Sequence, residues 1–563
     1  MLGLKWLILI PLLFIYYILW ASENYKITQD FYRSSILKYI TAVRGIRYEI
    51  PYVLRKYYSH IISVKPELIP LITPASIWKE RTENWREDWE KNGEEIKGRM
   101  ITKIGLSSSL ILYFILVLYW LQYNRGRFGY QLFGNLIREN ELWNLDVLLG
   151  IDSISLPFVL LTVFIFPIVY LSNWSTTNKF HAYYIIIIIG LELFLIIVFL
   201  VVDLIMFYIF FESTLPLLFV LIGLYGAAQK FRAGYYLFLY TLFGSLFMLL
   251  SFVKVGGDTG INYFEAYTVQ NSNSFFQEII WIILFVSFSV KTPLIPVHIW
   301  LPLAHSDANV SGSIILASIV LKLALYGFLR ILIGLFVFAT LKLIPFFFGL
   351  CSISVLYSSF TTIRQFDLKV LVAYSSIAHM ASSLLGTFSD TLYGIIGSVI
   401  FGLAHGFVSP GLFLIVGAVL YDRAGTRIIN YYRGLNVILP FVGLLFLILV
   451  FGNMGVPLTG NFIGEFLSLL GAYQQNIIMG SVAALSVVLS AVYSIYMYNR
   501  VTSGSLSPYV HIIPDFFRKE VYSLGPLLIL TLLLGIYPYF ISGYIEFGLS
   551  NLLLGNILID ILC

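Results

Sequence analysis

Between Asp203 and Leu217 the chain reads DLIMFYIFFESTLPL, and this stretch decides the fold. It belongs to an apolar run over 203–226 that is long enough to cross a bilayer, with Glu212 in its middle. A carboxylate at such a depth is costly unless it faces the interior of a helix bundle, where protein or water can meet it. Working outward, similar runs recur near 1–20, 104–122, 151–171, 182–200, 233–254, 278–300, 310–336, 342–363, 370–388, 393–421, 436–470, 478–500 and 522–544, about fourteen in all. Each approaches or exceeds the roughly 20 residues a membrane helix needs. Backbone groups in lipid must pair within their own segment, which makes these runs helices; the short alternating segments of a membrane barrel do not occur. The composition agrees: 59% of the 563 residues are hydrophobic and 12% charged, against about 25% charged in a soluble domain. A soluble enzyme and a disordered chain are excluded on that ground. A net charge of +5 argues against a nucleic-acid partner. The predicted fold is an all-α polytopic membrane protein with about 14 transmembrane helices.

Residues 1–20 read as a first transmembrane helix rather than a signal peptide: no small-residue cleavage site follows, and Trp20 ends the run as an interfacial anchor does. Residues 21–103 form a charged extramembrane insertion. Within it KERTENWREDWEKNGEEIKGR (79–99) predicts a surface helix laced with i,i+4 charge pairs. It is either a solvated face or a docking arm, Trp85 and Trp89 favouring some apolar cover. Residues 104–200 carry the second to fourth helices, 203–500 the polar-centred core, and 501–563 a surface loop with a last transmembrane helix. Cys351 and Cys563 suggest neither a metal site nor a disulfide framework.

The buried charges carry the functional signal. Besides Glu212, Lys291, Lys322, His379, His405 and Glu465 each stand inside an apolar run. One such residue alone would read as a hydrogen bond between helices. Acids, amines and imidazoles spread over six helices read instead as a chain of titratable groups able to pass protons. Two runs are interrupted. Lys291 is followed by Pro293 and Pro296, and Glu465 follows Gly452, Gly455, Pro457, Gly460 and Gly464. Broken helices are tolerated where protein or a watery cavity satisfies the released backbone groups, and a matched pair marks a transporter built from two inverted repeats. The seventh and twelfth helices are therefore predicted to be broken, within two inverted five-helix repeats. No phosphate loop, HExxH site or axial histidine pair is present, and GFVSPG around Ser409 is not a nucleophile elbow.

At these residues the sequence resembles the chain 4 family of respiratory complex I, the proton-pumping NADH:ubiquinone oxidoreductase. The resemblance is carried by DLIMFYIFFESTLPL and, in order, by AGYYLFLYTLFGSL (Ala233–Leu246), VKTPLIPVHIWLPLAHSDANVSGSIILASIVLKLALYGFLR (Val290–Arg330), DLKVLVAYSSIAHM (Asp367–Met380), AHGFVSPGLF (Ala404–Phe413) and NMGVPLTGNFIGE (Asn453–Glu465), with LLGIDSISLPF (Leu148–Phe158) upstream. It implies an antiporter-like subunit that moves protons through Glu212, Lys291, Lys322 and Glu465, with His298, His305, His379 and His405 as relays. The acid at 465 separates chain 4 from its sister subunits, which are expected to carry Lys there. The resemblance further implies a multi-pass protein of the mitochondrial inner membrane; the Phe- and Tyr-rich composition, 46 and 39 residues, fits an AT-rich organelle genome. It implies neighbouring antiporter-like and accessory subunits, membrane lipids such as cardiolipin, and no redox cofactor or metal in this chain, since FMN, iron–sulfur clusters and ubiquinone belong to other subunits. The sequence departs from the family pattern at Leu303, Asp307 and Asn309, where Lys, Glu and Pro are usual, and at Pro410, which is expected to bend its helix.

The expected mechanism begins with an ion pair between Glu212 and Lys291. A pulse from the quinone end opens it, Lys291 passes its proton toward Lys322, His379 and His405 relay it through water, and Glu465 gates the exit. Two other classes share parts of the pattern: a Mrp-type Na+/H+ antiporter subunit, and a structural subunit whose polar groups only hold helices together. A plastid dehydrogenase subunit using ferredoxin is a narrower alternative.

Overall fold

The computed structural model describes residues 2–23, 75–126, 129–137, 147–174, 181–259, 263–264, 274–509 and 514–562. The described residues are helical nearly throughout. The helices are α1 (Leu2–Glu23), α2 (Ala75–Gln122), α3 (Ser155–Ser172), α4 (His181–Leu200), α5 (Leu204–Tyr225), α6 (Lys230–Thr259), α7 (Ser274–Lys291) and α8 (Trp300–Asp307). They continue as α9 (Val310–Ile333), α10 (Val337–Ile363), α11 (Leu368–Thr387), α12 (Leu392–Ala424), α13 (Pro440–Met454), α14 (Gly460–Gln475), α15 (Ile477–Thr502), α16 (Arg518–Ile536) and α17 (Tyr539–Leu562). Among the described residues eleven helices are long and apolar enough to cross a membrane. The three predicted spans missing from that set are the first, whose apolar stretch shortens to Leu7–Leu19, and the two that the chain breaks, α7/α8 and α13/α14.

Packing divides the chain into two units, one of residues 1–11, 106–174 and 187–563, the other of 12–105 and 175–186. In the smaller unit the His181 ring lies against Gly98, where an added Cβ would stand 3.4 Å from it. Residues 24–74 of the predicted insertion lie outside the described residues.

In the larger unit burial grades from the bundle centre outward. The apolar window of α12 is wholly buried, and those of α9 and α11 are 94% and 89% buried. At the periphery α6 exposes Tyr235, Leu239, Phe243, Leu246, Leu250 and Val253, a stripe at three- and four-residue spacing along one helix face. Polar side chains mark the helix starts: Asp203 caps α5 at Ile205 N (2.9 Å), Asp367 caps α11 at Lys369 N (2.9 Å) and Thr391 caps α12 at Gly394 N (3.2 Å). Asn309, which departs from the family pattern, caps α9 by accepting from Gly312 N at 2.9 Å.

Both broken helices find partners for their released groups. At the first break Trp300 Nε1 donates to Val290 O (2.8 Å), Leu294 N to Ser289 O (2.9 Å) and Ile295 N to Ser354 Oγ (3.2 Å). At the second, Gly455 takes a left-handed conformation with φ of 69°, and Asn461 Nδ2 donates to Gly452 O at 2.8 Å. α14 then packs so closely on α12 that a Cβ on Gly464 would stand 2.5 Å from the Phe401 backbone, the small-residue contact that lets membrane helices approach.

Two features differ from the sequence reading. A two-stranded antiparallel hairpin, β1 (Leu132–Ile137) and β2 (Val147–Ile151), precedes α3; it is too short to register as an apolar run. The last predicted run, 522–544, is two helices, since Pro538 cannot continue α16 and α17 starts after it. Helix α12 continues helically through Pro410, and the π-helical stretch Leu414–Tyr421 follows directly.

Candidate functional site

Lys322 sits at the centre of α9, between two π-helical stretches, Leu316–Val320 and Phe328–Ile333. π turns loosen the regular i→i−4 ladder and favour functional positions. Here the Lys322 ammonium donates to the carbonyl of Ala317 at 2.6 Å. Its other contact crosses to α12, where His405 Nδ1 lies 2.9 Å away. A charged Lys322 must donate in that bond, which leaves the proton of neutral His405 on Nε2. The His405 ring stands 5.7 Å from the His379 ring on α11. His379 Nε2 in turn meets the hydroxyl of Tyr493, on α15, at 3.4 Å. Tyr493 interacts electrostatically with Glu465 on α14. Glu465 is buried with its carboxylate folded over Gly455, where a Cβ would meet Oε2 at 2.7 Å. Five titratable side chains from five helices thus line up through the most buried part of the bundle. Every one of them is at most 4% exposed.

Glu212 and Lys291 form a second group, and here the expected closed ion pair is absent. The two side chains lie near enough to interact electrostatically, yet no ion-pair contact within 4.0 Å joins them. Lys291 Nζ and Glu212 Oε2 have no hydrogen-bond partner among the described residues. The ammonium stands instead over the Phe211 ring, 4.1 Å from its centroid. The cause is helical geometry: neighbours on a helix point about 100° apart, so Phe211 and Glu212 cannot both face Lys291. The end of α7 at Lys291 leaves this residue at the break itself.

The remaining predicted histidines flank the line. His305, on α8, stacks on Phe413 at 4.6 Å with both ring nitrogens lacking a hydrogen-bond partner among the described residues, and it feels the charges of Lys322 and Lys369. His298 lies in the first break, edge-on to Tyr357 and Tyr374. Among the described residues no group of three His, Cys, Asp or Glu stands close enough to hold a metal ion.

Sequence reasoning missed several polar groups. Tyr493 is one of 39 tyrosines and nothing local singles it out. Glu192, on α4, is wholly buried, and neither carboxylate oxygen has a hydrogen-bond partner among the described residues. Asp152 and Arg330 form a 2.7 Å ion pair between the turn before α3 and the end of α9, and the Tyr130 hydroxyl meets Arg330 at 2.7 Å. Asp203, outside the spans at the start of α5, has its carboxyl pushed up to about 6 by burial, against two backbone hydrogen bonds that favour its charge.

Comparison with known proteins shows the family. The family model described as "NADH:quinone oxidoreductase/Mrp antiporter, TM" matches residues 201–490, and that described as "NADH-ubiquinone oxidoreductase chain 4, amino terminus" matches residues 99–198. The chain is 43% identical over 452 residues to NADH-ubiquinone oxidoreductase chain 4 of Mycosarcoma maydis, covering 80% of this chain and 93% of the relative. Among solved structures it resembles a chain of respiratory complex I from Thermus thermophilus, with a TM-score of 0.74 and 26% identity, over 81% of this chain and 95% of that one. The Mrp complex from Dietzia sp. DQ12-45-1b shares the fold at a TM-score of 0.70 and 15% identity, over 82% of this chain and 93% of the other. The coverage is near complete on the relative's side, and it runs through the helices that carry Glu212, Lys291, Lys322 and Glu465; this multi-pass membrane chain belongs to the NADH-ubiquinone oxidoreductase chain 4 family.

Proposed function

We propose that the chain translocates protons as an antiporter-like subunit of the membrane arm of NADH:ubiquinone oxidoreductase, in the mitochondrial inner membrane. Lys322, His405, His379 and Glu465 carry the proton, Tyr493 links the last two, and the Glu212–Lys291 couple times the transfer; His298 and His305 serve as further relays. The observation that carries this reading is the buried line of titratable groups from Lys322 to Glu465. A bundle built only for stability has no reason to put five ionisable groups in its least exposed layer, where each costs free energy unless it is used.

The chain needs no redox centre for this task. NADH oxidation, the flavin, the iron–sulfur clusters and the quinone site belong to partner subunits. The proton-moving machinery spans 203–500, and the charged stretch 21–103 docks accessory subunits. Anionic lipid such as cardiolipin lines the exposed apolar faces.

The test uses native membranes. They are solubilised gently, complexes are separated by size, and the fraction holding this chain is reconstituted into vesicles. Co-migration with inhibitor-sensitive NADH:quinone activity and NADH-driven proton movement is expected. A small particle that exchanges sodium for protons without oxidising NADH would replace this reading with that of a Mrp-type antiporter.

A further inference from the structure

One cluster of charged groups lies outside the line just described. Lys369 stands in the first turn of α11 and is 2% exposed, with Nζ donating to Ala308 O at 3.0 Å. Ala308 ends α8, three residues beyond His305. Arg427, from the loop after α12, converges on the same place. Its Nη1 donates to the Ser306 carbonyl, its Nη2 lies 4.0 Å from Asp307 Oδ1, and its Nε lies 3.5 Å from Asp367 Oδ2. Lys369 and Arg427 both stand over the Tyr421 ring, at 5.7 and 5.2 Å.

Exposure falls in steps through this cluster. The side chain of Asp367 is 27% exposed, Asp307 is 7% exposed, Lys369 2%, and His305 0%. His305 feels the charge of Lys369 on one side and of Lys322 on the other, and neither of its nitrogens has a hydrogen-bond partner among the described residues. The two cations differ in kind. Arg427 holds its proton at any relevant pH, which suits a clamp on two carboxylates; a lysine can give its proton up. Burial raises the Asp367 carboxyl above its ordinary value against the opposing pull of Arg427 and of two backbone hydrogen bonds, and its partly exposed side chain reaches water.

We propose that Asp367, Asp307 and Lys369 form the mouth through which protons from water reach His305 and then Lys322, with Arg427 as the positioning residue. The inference rests on the proton-translocating role of Lys322. A hydronium ion gives its proton to the Asp367 carboxylate, leaving water, and the resulting carboxylic acid passes it to the Asp307 carboxylate, which becomes the acid in turn. The acid passes the proton to the neutral amine of Lys369, and the resulting ammonium passes it to an unprotonated ring nitrogen of His305. The imidazolium delivers it to neutral Lys322, and each donor returns to its starting state. Transfers between groups beyond hydrogen-bond reach need one bridging water each.

The test compares Lys369→Arg, Asp307→Asn and Lys322→Met in the assembled complex, reconstituted in vesicles and driven by NADH and a quinone. Lys369→Arg keeps the charge and the donor to Ala308 but cannot release its proton. A structural cross-link tolerates that change; a relay does not, and proton delivery by way of this subunit should fall by about tenfold or more. Asp307→Asn, of almost unchanged size, should lower it severalfold and raise the sensitivity of the rate to heavy water. Normal pumping in assembled Lys369→Arg overturns the mouth. If that variant does not assemble, normal pumping in Asp307→Asn overturns it. Lys322→Met separates the two levels. Normal pumping there removes the underlying reading, whereas lost pumping there beside normal Lys369→Arg and Asp307→Asn removes the mouth alone.

Discussion

Lys291 and Lys322 are both lysines buried in an apolar bundle, on helices that pack together where Phe288 meets Gly327, yet their surroundings are opposite. Lys322 lies within a continuous helix and is held twice, by Ala317 O and by His405 Nδ1. Lys291 ends a helix at a break, has no hydrogen-bond partner among the described residues, and rests on the face of Phe211. Under the proposed function, the difference separates two tasks. A group that hands on a proton must already touch its acceptor. A group that times the transfer must be able to change partner at small cost, and a cation–π contact worth about 1–2 kcal/mol provides that. The carboxylate that would capture Lys291 is on the residue next to Phe211 in α5.

The most forceful way to break this comparison is Lys322→Met, which keeps the length of the side chain and removes the proton. NADH-driven proton uptake through this subunit should fall about a hundredfold, the scale of losing a positioned acid–base group. Uptake at the parent rate would show that the line is structural. Tyr493→Phe comes next. It keeps the ring and deletes only the hydroxyl that meets His379. Transfer between His379 and Glu465 should slow about tenfold, equivalent to about 1.4 kcal/mol on its barrier. An unchanged rate would send the path to Glu465 by another route. Phe211→Leu sharpens the other half. Without the ring Lys291 settles on Glu212, and release of the pair becomes slower by about fivefold, as the loss of about 1 kcal/mol on the open side implies. Should pumping rise instead, the ring would be an obstacle to Lys291 rather than its resting place.

The comparison also shows how far residues alone could be read. Glu212, Lys291, Lys322 and Glu465 announce themselves, because a charge inside an apolar run is too costly to be incidental. The two breaks were legible for a similar reason: Pro293, Pro296, Gly455 and Pro457 cannot sit quietly in a membrane helix. What could not be read is who touches whom. His405 and Lys322 are 83 residues apart, and no spacing rule brings them to 2.9 Å. The π stretches on either side of Lys322 have no residue signature. The Glu212–Lys291 contact was expected from opposite charges on neighbouring helices, and it failed because the direction of a side chain depends on helix rotation, which one-dimensional pattern does not contain. The hairpin before α3 was lost to a search tuned to long apolar runs. Asp307 and Asn309, where the motif departs from its family, became intelligible once Asn309 proved to be a helix cap and Asp307 a neighbour of Arg427.

The smallest expected effect tests whether the break positions Lys291 or merely follows it. Trp300 Nε1 donates to the carbonyl of Val290, the residue just before Lys291, and both are buried. The last carbonyls of a helix have no partner within it, so this bond closes an account that the break opens. Trp300→Phe keeps most of the ring and removes the donor, leaving a buried carbonyl unsatisfied at a cost of about 1–3 kcal/mol. A matched control exists in Trp281, whose Nε1 donates to Thr340 Oγ1 at 3.0 Å in the same bundle, ten residues upstream of Lys291. Trp281→Phe should lower the thermal stability of the assembled complex to a similar degree and leave proton uptake as it was. Trp300→Phe should lower stability and also cut uptake, by about twofold to threefold, because the end of α7 and with it the ammonium of Lys291 can then drift from Phe211. If the two variants prove alike in both measurements, the bond at Val290 is ordinary packing, and Lys291 takes its position from α5 rather than from the break.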